Sequence, residues 1–197
     1  MIKNLQKKFI LIAMLAIILI TGTIFGIIAF ESYREINLQT DALINLIVEN
    51  NGSIPDYKNK TGNVFITKET KYSTRYFTFT INNSNEIESS NMQNIAAVSL
   101  EEAENILEKV LVKNRKNGFY GNYKFKIIQI GDGKKLVVFL DCTFQRESQN
   151  SMIKKSLIVM GVGYIVVFFA ITIFSKIALK PFVRNMEQQK QFITNAG

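Results

Sequence analysis

Phe9 to Phe30 is a run of 22 residues without a charge, and Ser156 to Ser175 is a second such run of 20. A helix rises about 1.5 Å per residue, so roughly 20 apolar residues span the ~30 Å hydrocarbon core of a bilayer. Each run is flanked by lysines: Lys7 and Lys8 before the first, Lys154, Lys155 and Lys176 around the second. A pair of buried helices in a soluble protein would not need charged borders of this kind. Two transmembrane helices, 9–30 and 156–175, are therefore expected.

A cleaved signal peptide is the rival for the first run, because Met1 to Lys8 resembles a basic leader. Against it, the apolar stretch is longer than a usual leader core of about 7–15 residues, and no small-x-small cleavage site follows. An uncleaved anchor fits better.

Charge then sets the expected orientation. The net charge is +8, yet the segment 31–155 holds 17 basic against 15 acidic residues. Outside it stand Lys3, Lys7, Lys8, Lys176, Lys180, Arg184 and Lys190 against a single acid, Glu187. Basic residues gather on the cytoplasmic side of membrane helices. Lys154 and Lys155 run against that rule, but a long loop counts weakly in it. Residues 1–8 and 176–197 are thus expected in the cytoplasm and 31–155 outside. A basic balance of this distribution does not point to nucleic acid.

The segment between the runs reads as α+β. Helical spacing of Ile36, Ala42 or Leu43, and Leu46–Ile47 carries the first helix past the bilayer, until Asn50-Asn51-Gly52-Ser53 and Pro55 break it. Val64 to Thr67 is β-rich, and Arg75 to Ile81 alternates, with Phe77, Phe79 and Ile81 on one face. Asn82-Asn83-Ser84-Asn85 is turn chemistry before a short strand near Glu86–Ser90. Ser99 and Glu102 form a capping-box pair ahead of an amphipathic helix whose apolar face is Ala103, Ile106, Leu107, Val110 and Leu111. Tyr123, Phe125 and Ile127 alternate with lysines until the phase slips at Ile128, as a bulge would make it do. Gly131-Asp132-Gly133 turns the chain, and Leu136 to Phe144 returns as an apolar strand. An antiparallel sheet with helices packed on it is the expected architecture. Hung between two membrane helices, it resembles the PAS-like sensor domains found outside bacterial membranes.

Side chains that do chemistry are scarce. With no histidine, neither a Ser-His-Asp nor a Cys-His arrangement is available, and the usual zinc sites are absent. Glu101, Glu104 and Glu108 read as the solvated face of their helix rather than a cation site. Gly131-x-Gly133 lies between strands and Gly161-x-Gly163 within an apolar run, so neither is a phosphate loop. The single cysteine, Cys142, precludes an intrachain disulfide and sits in an apolar run as a small hydrophobe. Aromatic and basic residues in Arg75–Phe79 and Phe119–Tyr123 can line a pocket, although core packing accounts for them better; no ligand residue is assigned. Gly22-Thr23-Ile24-Phe25-Gly26 is a GxxxG motif, so Gly22 and Gly26 are candidate dimer contacts in the membrane.

The last 22 residues carry a family resemblance. Lys190, Gln191, Phe192, Asn195 and Ala196, with Gly197 as a small residue, resemble the run that immediately precedes the phospho-accepting histidine in sensor histidine kinases. Pro181 matches the proline that commonly follows the second membrane helix in that family. The resemblance implies the signal-input part of a two-component kinase in the bacterial plasma membrane, acting as a homodimer. Its cognate response regulator would be reached through a kinase core, and ATP and Mg would serve that core alone. Neither the histidine nor the ATP-binding domain lies within residues 1–197, so no catalytic, cofactor or metal residue is assigned. Too few residues separate Lys176 from Lys190 for a HAMP relay, so coupling is expected through Pro181, Phe182, Met186, Phe192 and Ile193. Phe182, Met186, Gln189, Ile193 and Ala196 follow coiled-coil spacing, although a single amphipathic exit helix would show it too. A catalytically empty membrane sensor that modulates a separate full-length kinase is the alternative function, and a structural protein that binds a cell-surface partner is another.

Overall fold

A computed structural model describes residues 2–55, 59–61, 64–131 and 133–195, with the side chains of 4–55, 67–131, 133–178, 180 and 181. Both apolar runs are helical: α1 (Ile2–Glu49) contains the first and α4 (Thr143–Asn195) the second. Each holds an 18-residue window of mean hydropathy 2.7, none of it buried inside the chain. Ile12, Leu19, Ile158 and Phe174 are each at least 66% exposed. The core helix of a soluble protein hides such side chains. These two are long and apolar enough to cross a membrane.

The chain divides into two units, Met1–Glu31 with Ser151–Gly197, and Ser32–Asn150. In the first unit, Gln6 Nε2 donates to Ser175 Oγ at 3.0 Å, and the Thr21 and Tyr164 hydroxyls stand 2.6 Å apart. Early residues of α1 meet late residues of α4, so the two helices are antiparallel neighbours.

The second unit is α+β. Its sheet has five antiparallel strands: β3 (Tyr76–Ile81), β4 (Ile87–Asn91), β5 (Asn117–Tyr120), β6 (Tyr123–Ile130) and β7 (Lys134–Asp141), in the order β4-β3-β7-β6-β5. A separate ribbon pairs β1 (Asn59–Thr61) with β2 (Val64–Ile66), followed by the short α2 (Thr70–Ser73).

Alternation distributes the sheet's side chains between two cores. Phe77, Phe79, Ile81, Phe125, Val137 and Phe139 point to α3 (Leu100–Val112) and pack on its Ala103, Leu107 and Val110. Phe139 stacks on Phe77 at 4.7 Å between ring centroids and meets Phe79 edge-on. On the opposite face, Leu136, Val138 and Leu140 pack against Ile44, Leu46 and Ile47 of α1. The capping box forms as the sequence predicts, with Ser99 Oγ accepting from the Glu102 N–H and Glu102 Oε2 from the Ser99 N–H. Where α1 stops, Asn51 and Gly52 take positive φ of 53° and 85°. A Cβ at Gly52 would meet Thr78 and Leu136 at 3.4–3.5 Å, ordinary contact distances, so it is the left-handed turn that calls for glycine there.

Three expectations need correction. There is no bulge at Ile128: β6 and β7 pair residue for residue from Tyr123↔Asp141 to Ile130↔Lys134. The slip in pattern arises because β6 is covered on both faces at that end, with Ile127 on the α3 side and Ile128 and Ile130 on the α1 side. The irregularity lies instead between Thr80 and Ile81, in the pairing of β3 with β4. The returning strand ends at Asp141, short of Phe144, because α4 already begins at Thr143. Finally, the strand preceding β6 was not expected: Asn117–Tyr120 pairs with β6 as β5.

Candidate functional site

Residues Asn37, Asp41 and Asn45 recur every four positions and so share one side of α1. Lys124 and Lys126 are two apart on β6 and share one face of the sheet. Four helical residues rise about 6 Å and two strand residues about 6.7 Å, so the two polar rows keep step. Lys124 Nζ lies 2.7 Å from Asp41 Oδ1, and Lys126 Nζ donates to Asn45 Oδ1 at 2.7 Å. The Lys124 ammonium also donates to Thr40 Oγ1 at 3.1 Å and to the Asn37 carbonyl at 3.4 Å. Its three protons therefore have three acceptors, all from α1. Lys124 is only 7% exposed, and a buried ammonium is tolerable only when paired and hydrogen-bonded in this way.

The start of α4 is fastened to the same stretch of sheet. The Cys142 N–H donates to the Asn122 carbonyl at 3.0 Å, and Arg146 Nη1 to the Gly121 carbonyl at 2.6 Å. The carboxylate of Asp141 accepts from the Thr143 N–H at 2.8 Å, satisfying a free donor of the helix's first turn. Phe119 of β5 receives both cations on its ring, Lys124 Nζ at 5.3 Å and Arg146 Cζ at 5.0 Å from the centroid. Thus the end of the β5–β6 hairpin, Phe119 to Lys124, holds α1 through one side chain and the first turns of α4 through backbone and ring contacts.

Cys142 itself is 1% exposed, and its thiol points to the Leu140 carbonyl at 3.6 Å. Burial pushes its pKa up, partly offset by a hydrogen bond to the Lys124 backbone and by that residue's charge. A thiol held neutral in this way behaves as a small apolar side chain. Among the described residues no group of three or more His, Cys, Asp or Glu side chains is placed to hold a metal ion.

The residues singled out in the sequence fall as follows. Gly22 and Gly26 are exposed on α1, and a Cβ added at either would meet nothing within 4 Å. They are not used in packing α1 on α4. Pro181 is exposed inside α4, where its missing N–H leaves the preceding turn one hydrogen bond short. Phe182, Met186, Gln189, Phe192 and Ile193 belong to α4 by backbone, and their side chains lie outside the described residues, as do Ala196 and Gly197 entirely. Of the two aromatic and basic stretches, Phe77 and Phe79 belong to the α3-side core, against which Tyr123 packs, and Tyr76 to the α1-side core, whereas Phe119 belongs to the polar cluster.

No family model, curated protein or solved structure matches this chain. What can be said of function rests on its own residues.

Proposed function

We propose that this chain is the signal-input portion of a transmembrane histidine kinase, with a PAS-like domain outside a bacterial plasma membrane and both termini in the cytoplasm. The observation that carries the proposal is the course of α4. One helix begins on the sheet at Thr143, passes through the second apolar run and reaches Asn195, inside the stretch that resembles the start of a kinase dimerisation domain. The antiparallel pairing of α1 and α4 supports a topology with both termini on one side. The PAS-like assignment is supported by an antiparallel sheet with a helix on each face.

In this account a signal changes the packing of the sheet domain between two arrangements of different ligand affinity. The hairpin 119–124 passes the change to α1 and α4, and α4 carries it past Pro181 to the dimerisation segment. Two copies would associate in the membrane through Gly22 and Gly26, with ATP and Mg belonging to the kinase core alone. The test is a fusion of residues 1–197 to an intact kinase core, assayed in membrane vesicles for autophosphorylation. Activity should depend on the outer domain, changing both on its deletion and in Asp41→Ala. Phosphorylation indifferent to both changes would count against coupling.

A further inference from the structure

At the end of the sheet opposite the start of α4, an open cavity of about 400 Å³ lies between the C-terminus of α3 and strands β6 and β7. Local chain geometry makes it. Asn114 ends the helix in a left-handed conformation, φ 48°, and Arg115 and Lys116 follow before β5 begins at Asn117. The pairing of β5 with β6 starts at Asn117↔Lys126, and the last bond on that side runs from the Ile127 N–H to the Lys116 carbonyl. Beyond it, no described strand covers that edge of β6, and the cavity occupies the gap.

Its lining is one-sided in charge. Arg115, Lys116 and Lys135 contribute three cations, and among the described residues no carboxylate lines the cavity. The nearby acid Glu88 is engaged by Lys134 at 2.6 Å, and Lys134 does not line the cavity. Lys135 Nζ is steadied by Asn85 Oδ1 at 3.0 Å, and Arg115 and Lys116 make no ion pair with any described residue. The carbonyl end of α3 offers only about half a negative charge against three positive ones. Leu111 and Ile127, which face the α3 side of the sheet, add half-buried apolar surface to the lining. A guanidinium and two ammonium groups suit carboxylate or phosphate groups. The volume falls within the range of small-molecule sites, about 300–1,000 Å³.

We propose that this cavity binds a small dissolved anion bearing at least two negative charges on carboxylate or phosphate groups. As the signal recognised by the outer domain it rests on the sensor reading above, whereas its test reads binding alone and so stands or falls separately. The full chain, in nanodiscs of phosphatidylcholine, is titrated calorimetrically with two probes, citrate and inorganic pyrophosphate. At least one should bind saturably at one site per chain. Arg115→Glu with Lys116→Glu should weaken it by about tenfold or more, through loss of charge-assisted hydrogen bonds. A control of equal charge change elsewhere, Lys68→Glu with Lys109→Glu, should leave affinity within a factor of about two. Phosphatidylglycerol added to the discs should not compete. Absence of binding by both probes, or equal weakening in the control, overturns the site. Competition by phosphatidylglycerol overturns a dissolved anion in favour of a lipid headgroup.

Discussion

Lys124 Nζ of β6 and Asp41 Oδ1 of α1 are 2.7 Å apart, and the two partners differ sharply in exposure, 9% and 56% of their side chains. That asymmetry makes their substitutions unequal. Asp41→Ala leaves a buried ammonium short of an acceptor and should destabilise the outer domain by about 1–2 kcal/mol. Lys124→Met keeps the apolar stem, and the freed carboxylate simply hydrates, so its cost should be smaller. Urea titrations of both variants in detergent check the order of effects. Equal losses would show that the pair is not asymmetric in the way its burial implies.

Phe139 lies at the centre of the α3-side core, fully buried and in ring contact with Phe77, Phe79 and Phe125. Phe139→Ala should cost about 3–5 kcal/mol, the range for emptying an aromatic site that cannot collapse. Loss of the near-ultraviolet circular dichroism of the aromatic cluster at a lower urea concentration is the expected readout.

Ser99 closes the capping box of α3. Ser99→Ala removes the acceptor for the Glu102 N–H and should cost about 1 kcal/mol, while Ser99→Asp should preserve most of the stability. A thermal melt that does not separate the two variants would contradict the role of the cap.

Alkaline pH should destabilise the domain. Burial, the largest cause in each case, raises the pKa of the Cys142 thiol above 9.0 and of the Tyr76 phenol above 10.0. Below the ordinary values both groups are protonated in folded and unfolded chains, and their contribution is fully present. As pH rises past 9, the unfolded chain gives up protons that the folded chain keeps, so stability falls toward the raised folded values. Melting temperatures measured from about pH 7 to 10.5 should drop most steeply above 9, and Cys142→Ala should blunt the earlier part of the fall.

Gly22 and Gly26 present open backbone on α1. Replacing both by Ile should lower the crosslinked dimer fraction in membranes, because bulky side chains hold two helices apart. An unchanged fraction would remove the motif from the dimer contact.

Strong periodic patterns made part of this fold legible. The two uncharged runs, the alternation Phe77-Phe79-Ile81 and the Ser99 cap all lie where the pattern places them, since each depends on neighbours in sequence. What the sequence hid depends on partners far along the chain. β5, with Gly118 at its second position, has too little apolar alternation to announce itself and is a strand only because β6 pairs with it. The apparent slip at Ile128 is burial on a second face, visible only once α1 is known to cover it. Of the candidate site, Lys124 and Lys126 stood out as polar positions, but their partners at Asn37, Thr40, Asp41 and Asn45 lie some 80 residues earlier. The four-residue spacing of Asn37, Asp41 and Asn45 against the two-residue spacing of the lysines was the available signal. The 400 Å³ cavity had none, because Arg115, Lys116 and Lys135 come together only through the sheet.

The most direct measurement of the central claim is the coding sequence that follows the codon for Gly197 in the source gene. An input module of a histidine kinase requires the frame to continue with a phospho-accepting histidine directly after the Asn195-Ala196-Gly197 segment, and then an ATP-binding domain. A stop codon, or a continuation without that histidine, would contradict it.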